Sequence, residues 1–333
     1  MLQVLRILAF PISLLYAVVV FVRNLFYDFG WFKSHTSDLP TLCVGNLSVG
    51  GTGKTPMIEY LIALLDDVPI AVLSRGYKRT SKGFLMADET STVGDLGDEP
   101  YQIHSKFPKV TVAVGADRVE GVKRLKAQSK AKLVLLDDAF QHRRIQPTSS
   151  ILLTTYAKPY VSDWYLPTGD LRDHKVAAKR ADVIVVTKCP ENISSEERKA
   201  IEKKLSPLSH QKILFCWFSY AEKPKNREGA QLEWEQLSSK KVGVVTGIAN
   251  PAPFLKHLKS QDFLFEHLDF PDHHAFTEAE LAVFQQYDYI ITTEKDYMRL
   301  EGNVQNAFYL GVKHTFSKED ESFLEKAVKS LLA

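Results

Sequence analysis

Ser48-Val49-Gly50-Gly51-Thr52-Gly53-Lys54-Thr55 is a glycine-rich loop that closes on Gly53-Lys54-Thr55. Three glycines let successive backbone N–H groups turn inward around phosphate oxygens. Lys54 has the reach for β- and γ-phosphates, and the Thr55 hydroxyl can ligate Mg²⁺. Upstream, Leu42-Cys43-Val44 reads as a short buried strand. Downstream, Met57 to Leu65 reads as a helix, with Pro56 tolerated in its first turn because a missing N–H there has no helical partner anyway. Ser48 stands where the strict pattern has glycine. Strand, loop, lysine and helix in this order predict a nucleoside-triphosphate site in an α/β protein with a P-loop NTPase-type sheet.

Working outward, apolar runs alternate with helical stretches. Pro69 to Leu73 leads into Ser74-Arg75-Gly76-Tyr77-Lys78-Arg79, and Lys109 to Val114 is followed by a helix from about Asp117 to Gln128. Lys132 to Leu136 delivers Asp137-Asp138. Strands that are nearly all apolar imply a parallel sheet with helices on both faces. Ligands in such sheets bind at the C-terminal strand ends, where Arg75, Arg118 and Asp137-Asp138 emerge. A second series follows at Ile151–Thr155, Ala181–Lys188, Ile213–Phe218, Val242–Gly247 and Tyr289–Thr293. The polar stretch Ala221 to Lys240 suggests a boundary between lobes. The expected division is an N-terminal helix over 1–34, a P-loop domain over 35–220 and a smaller α/β lobe over 221–333.

An aspartate at a strand end is where a P-loop enzyme holds Mg²⁺, so Asp137-Asp138 complements Thr55. Gln141 and His142 follow closely enough to face the phosphates. Gly97-Asp98-Glu99-Pro100 offers two readings. Proline disfavours helical backbone at Glu99, and an extended pair would point one carboxylate to metal and the other to an acceptor hydroxyl. Alternatively, the two acids open a helix at Pro100 and favour its dipole. Phe270-Pro271-Asp272-His273-His274 is a compact acid–histidine cluster suited to proton relay. Arg75, Tyr77 and Arg118 suit an anionic substrate.

The N-terminus is the second informative feature. Ile7 to Val22 carries no charge, is bracketed by Arg6 and Arg23, and precedes Phe26, Tyr27, Phe29, Trp31 and Phe32. As a helix this run spans about 24 Å, short of a bilayer's hydrocarbon core of roughly 30 Å. The aromatic belt and flanking arginines favour insertion into one leaflet from the cytoplasmic side. The chain of 333 residues is 45% hydrophobic with a net charge of +2, ample for two cores and unsuited to nucleic-acid binding by bulk charge. Cys43, Cys189 and Cys216 lie far apart in apolar runs and read as reduced core thiols. No segment calls for an obligate protein partner.

Taken together, these motifs resemble the tetraacyldisaccharide 4′-kinase family, the lipid A 4′-kinases of Gram-negative bacteria. The resemblance rests on the apolar N-terminal helix, Gly45-Asn46, Gly50 to Pro56, Ser74-Arg75-Gly76-Tyr77, Gly97-Asp98-Glu99-Pro100 and Gly115-Ala116-Asp117-Arg118. It continues through Leu136 to His142, Leu166-Pro167 with Leu171-Arg172, Phe270 to His273 and Thr293-Glu294-Lys295-Asp296. It implies ATP-dependent phosphorylation of the 4′-hydroxyl of a tetraacylated glucosamine disaccharide 1-phosphate, at the cytoplasmic face of the inner membrane. It further implies Asp98 as catalytic base with His273, and Lys54 acting on the phosphates. Ser48 to Thr55 would hold ATP; Thr55, Glu99, Asp138 and His142 would serve Mg²⁺. Asn46, Arg75, Tyr77, Arg118, Gln141 and Arg172 would bind the lipid substrate. Asp170 and Asp173 depart from the family pattern as proline- and glutamate-type residues are expected there. A GTPase is disfavoured because Thr187-Lys188-Cys189-Pro190 lacks the Asn and Asp of a guanine-reading strand end. An ATPase driving a membrane assembly is the remaining rival.

Overall fold

Val44, Val72, Leu135 and Val185 are completely buried, as apolar strands must be when helices cover both faces of a sheet. The computed structural model describes residues 2–272, 274–300 and 303–332. Its strands are β1 (Thr41–Asn46), β2 (Ile70–Ser74), β3 (Leu85–Met86), β4 (Thr111–Val114), β5 (Leu133–Asp137), β6 (Ser149–Thr155), β7 (Val183–Thr187) and β8 (Lys212–Tyr220), then β9 (Val242–Thr246), β10 (Glu266–Asp269), β11 (Tyr289–Thr293), β12 (Ala307–Leu310) and β13 (Val312–Phe316). Its helices are α1 (Leu2–Leu8), α2 (Phe10–Asp28), α3 (Lys54–Leu64), α4 (Val93–Leu96), α5 (Asp98–Lys106), α6 (Arg118–Gln128), α7 (Ser195–Leu205), α8 (Ala252–Lys259), α9 (Glu278–Phe284), α10 (Glu294–Leu300) and α11 (Lys318–Lys329).

Among the described residues, nine strands form one sheet in the order β13-β8-β7-β6-β1-β5-β2-β4-β3, and four form another in the order β10-β9-β11-β12. The larger sheet is parallel except at its edges, where β3 and β13 run antiparallel to their neighbours. The smaller is parallel throughout. Helices α3, α5 and α11 bury Met57, Ile103 and Leu324 against one face of the large sheet, while α6 and α7 bury Val122 and Leu205 against the other. The chain leaves β1 toward β2 and leaves β5 toward β6, on opposite sides. Their C-terminal ends therefore flank a switch point, the crevice where such sheets bind ligands.

The structure redraws one expected boundary and decides between two open readings. The lobe expected over 221–333 is shorter, because β13 returns to pair with β8 and α11 packs on the large sheet. Of the two readings of Asp98-Glu99 the helical one holds, with α5 starting two residues earlier, at Asp98; Pro100 falls in the first turn, where the absent N–H costs nothing.

The N-terminal segment is two helices broken at Ala9, with Pro11 at the start of α2. The second is longer than the uncharged run, reaching Asp28 past Arg23. One stripe of α2 is polar and docks on the protein. Ser13 donates to Thr168 Oγ1 at 2.8 Å, Tyr16 to the Arg172 carbonyl at 3.0 Å, and Asn24 to Asp173 Oδ1 at 2.7 Å. The opposite face leaves Leu15, Val18 and Val19 more than half exposed, beside Phe29 and Trp31 at about 70%.

Candidate active site

The phosphate loop connects β1 to α3 and is fixed from several sides. Asn46 Nδ2 donates to Thr52 Oγ1 at 2.8 Å, the Thr187 hydroxyl donates to the Thr52 carbonyl at 2.8 Å, and Val49 N–H donates to the Asp170 carbonyl at 2.7 Å. Gly53 has φ 91°, a left-handed conformation, and a Cβ there would lie 2.8 Å from His314 Nε2. His314 is buried on β13, and burial pushes its pKa down to about 4, so it is neutral. Its Nε2–H donates to the Gly53 carbonyl at 2.9 Å, which leaves Nδ1 to accept from the Cys216 thiol at 3.1 Å. All three cysteines are buried thiols, as expected.

Lys54 opens α3 and points across the switch point to Asp138, 3.8 Å away. Arg172 closes on the same carboxylate with both Nη atoms, one at 3.0 Å, and also on Asn46 Oδ1. Burial alone would raise the Asp138 pKa, but Lys54 and Arg172 outweigh it and hold the carboxyl below its ordinary value. Asp137, the last residue of β5, behaves oppositely. Burial, and then the charge of Asp138, push it up to about 6, and its Oδ2 accepts from the Ser74 hydroxyl at 2.9 Å. Two adjacent acids thus differ in proton affinity. Gln141 donates to the Asn46 carbonyl at 2.7 Å and so braces the end of β1.

Asp98 and Glu99 occupy the first turn of α5. Gly97, at φ 87°, precedes them, and a Cβ on it would lie 2.7 Å from the Tyr77 carbonyl oxygen. The loop bearing Arg75 and Tyr77, both exposed, therefore packs against the start of α5. Glu99 is near enough to add to the rise of the Asp137 pKa. P-loop, Asp137-Asp138, Asp98-Glu99 and the Arg75–Tyr77 loop thus meet at one end of the large sheet.

Other expected residues stand elsewhere. Arg118 is 2% exposed and donates to the carbonyls of Gly115, Ala116 and Asp137, so it braces strand ends and does not present itself to a substrate. Among the described residues, no three acid, histidine or cysteine side chains form a ready-made cation site. Glu99 instead meets Lys295 at 3.5 Å. Burial, then Arg118, lower the His142 pKa to about 4, and its Nε2 is buried without a hydrogen-bond partner. His273 lies outside the described residues.

Several residues in this network carry no local sequence signal. Arg299 Nη2 donates to Asp98 at 2.6 Å, and Lys106 lies between Glu59 and Glu294 at 2.7 and 2.8 Å. Asp163, 3% exposed, receives Lys158 at 2.7 Å and stands behind Ser48. Only partners distant in sequence reveal these roles.

The chain is similar to known proteins of one family. Tetraacyldisaccharide 4′-kinase of Flavobacterium johnsoniae is 44% identical over 328 residues, covering 96% of both chains. The enzyme of the same name from Bacteroides thetaiotaomicron is 42% identical over 87% of this chain and 82% of its own. The crystal structure of "apo" form LpxK from Aquifex aeolicus in complex with ATP superposes with a TM-score of 0.80 at 30% identity, covering 99% of this chain and 100% of that one. Residues 5–332 match the family described as Tetraacyldisaccharide-1-P 4'-kinase, and the chain belongs to that family.

Proposed function

We infer that this protein transfers the γ-phosphoryl group of ATP to the 4′-hydroxyl of a tetraacylated glucosamine disaccharide 1-phosphate, a step of lipid A biosynthesis. One observation carries the reading beyond the family name. Arg172 holds Asp138 and Asn46 with its side chain, while its carbonyl accepts from Tyr16 on the apolar helix α2. Phosphate chemistry and a lipid-seeking surface are thereby joined through one residue. The exposed apolar face of α2 and the aromatic residues beyond it support attachment to one leaflet, which an acceptor held in a bilayer by its acyl chains requires. We assign that leaflet to the cytoplasmic side of the inner membrane, where ATP is available.

Phosphoryl transfer asks the protein chiefly for positioning and charge stabilisation. Backbone N–H groups of Gly50, Gly51 and Gly53 surround the phosphates, and Lys54 neutralises the β- and γ-oxygens. Asp98 orients the acceptor hydroxyl and accepts its proton, with His273 as its partner by family resemblance. Arg75, Tyr77 and Arg172 hold the headgroup. Thr55, Asp137 and Asp138 would hold Mg²⁺ through the oxygen donors it prefers, whereas the imidazole of His142 suits it poorly. When bound, Mg²⁺ would supply neutralisation of the charge that develops during phosphoryl transfer.

The test is ³²P transfer from γ-labelled ATP to the tetraacylated disaccharide 1-phosphate in detergent micelles, for wild type and Asp98→Ala. Labelled lipid that disappears in the variant is the expected result. ATP hydrolysis without lipid labelling would instead establish an ATPase.

A further inference from the structure

The motif Thr293-Glu294-Lys295-Asp296 opens α10 in the second lobe, and no step of the chemistry above uses it. Its side chains nevertheless reach α5, the helix that carries Asp98, at both ends. Glu294 takes Lys106 at the C-terminal end, 2.8 Å away. Lys295 meets Glu99 at the N-terminal end, 3.5 Å away. One turn further along α10, Arg299 donates through Nη2 to Asp98 Oδ2 at 2.6 Å and through Nη1 to Asp296 Oδ1 at 3.0 Å.

Asp296 is a rigid support for that guanidinium. It is fully buried, and its Oδ2 accepts from the Gly247 N–H at 3.0 Å and the Thr293 hydroxyl at 2.7 Å. A planar guanidinium between one fixed carboxylate and one working carboxylate transfers the orientation of the first to the second. Arg299 is only 8% exposed and Asp98 17%, so solvent competes little for the pair. The first lobe supplies Asp98, yet the direction of its carboxylate is set from the second.

We propose that Arg299, anchored by Asp296, is the positioning residue that aims Asp98 at the acceptor hydroxyl. The proposal rests on the assignment of Asp98 as the base. With Arg299 in place, Asp98 Oδ2 is fixed and the carboxylate keeps one orientation. Without it, the carboxylate turns about its side-chain torsions, and a misplacement of about 1 Å at a reacting group costs on the order of a hundredfold in rate.

The experiment compares Arg299→Met, Arg299→Lys, Asp98→Asn and the double variant Asp98→Asn/Arg299→Met by ³²P transfer to the lipid acceptor, with ATP binding measured alongside. The expected result is a fall in kcat of about a hundredfold for R299M, with KM for ATP within about twofold of wild type and R299K intermediate. On the D98N background, R299M should cause no further loss, because a residue acting through Asp98 has nothing left to position. A kcat for R299M within about threefold of wild type overturns the proposal, as does an undiminished effect on the D98N background. Should R299M fail to bind ATP through misfolding, R299K decides: reduced kcat at unchanged KM for ATP supports the proposal, and unchanged kcat overturns it. Wild-type kcat in D98N alone would refute the base assignment separately.

Discussion

Tyr16 donates its hydroxyl to the carbonyl of Arg172 at 3.0 Å, and the side chain of that arginine lies on Asp138. The apolar helix is therefore a built part of the site's wall, with one polar stripe buried and one apolar face free. A freely spanning segment would have no reason to place Ser13, Tyr16 and Asn24 on a single side. Their partners, Thr168, Arg172 and Asp173, all come from the loop that also meets Ser48 through Leu171. The apolar helix and the phosphate site are therefore mechanically connected.

Charging the free face of α2 should detach the protein from lipid without disturbing nucleotide binding. Leu15 is 66% exposed and directed away from the docked stripe. Burying a leucine side chain contributes about 1.5–3 kcal/mol, so Leu15→Asp should lower the partition onto anionic lipid vesicles by at least about tenfold. Co-sedimentation with vesicles and ATP binding in solution read the two effects apart. Equal partitioning of wild type and variant would remove α2 from the membrane surface.

Gly97→Ala should impair lipid phosphorylation more than ATP binding. The left-handed φ of 87° disfavours any Cβ, and the new methyl would sit 2.7 Å from the Tyr77 carbonyl oxygen. Relief requires the Tyr77 loop or the start of α5 to move, which displaces Arg75 and Tyr77 from Asp98. Backbone strain of this kind costs about 1–3 kcal/mol. Steady-state kinetics should report kcat/KM for the lipid reduced about tenfold or more, with ATP affinity within about twofold. A loss confined to ATP affinity would contradict this placement.

The central sheet was readable because its strands are buried on both faces: β1, β5 and β7 are apolar runs with no alternation to misread. The P-loop was readable because its residues are contiguous. Strand β13 was not, since Val312-Lys313-His314-Thr315-Phe316 places three polar residues between two apolar ones, its buried central position being His314, and resembles a loop in isolation. The helical start at Asp98 stayed one of two readings because of Pro100, whose usual effect on the preceding residue is overridden when both lie in a first turn. Pairs such as Asp98 with Arg299 span two lobes, and no local pattern encodes them.

Lys106 holds two buried carboxylates, Glu59 from α3 and Glu294 from α10, and so ties both helices to α5. Burial, then the charge of Glu294, push the Glu59 pKa up to about 7, a sign that the pair depends on the lysine. Removing one partner from a buried ionic cluster costs about 3–5 kcal/mol because the others remain unpaired. Lys106→Met should destabilise by that order in urea unfolding, and adding Glu59→Gln should recover a substantial part. A double variant no more stable than K106M would show that the cost is packing, not charge.

His314 makes a pH-dependent contribution whose direction follows from its burial. Its folded pKa is depressed from 6.5 to about 4, so the folded state binds fewer protons than the unfolded state between those values. The neutral imidazole's contribution is complete above pH 6.5 and is lost as pH falls toward 4, where protonation would also disrupt its acceptance from the Cys216 thiol. At 1.36 kcal/mol per unit, the loss by pH 4.5 is roughly 2–3 kcal/mol. Glutamine keeps a donor for the Gly53 carbonyl but does not titrate. His314→Gln should therefore be less stable than wild type at pH 7.5, while the difference in unfolding free energy between pH 7.5 and pH 4.5 shrinks by that amount. Urea titrations at the two pH values measure it, and an unchanged difference would mean that the His314 pKa is the same in the folded and unfolded states.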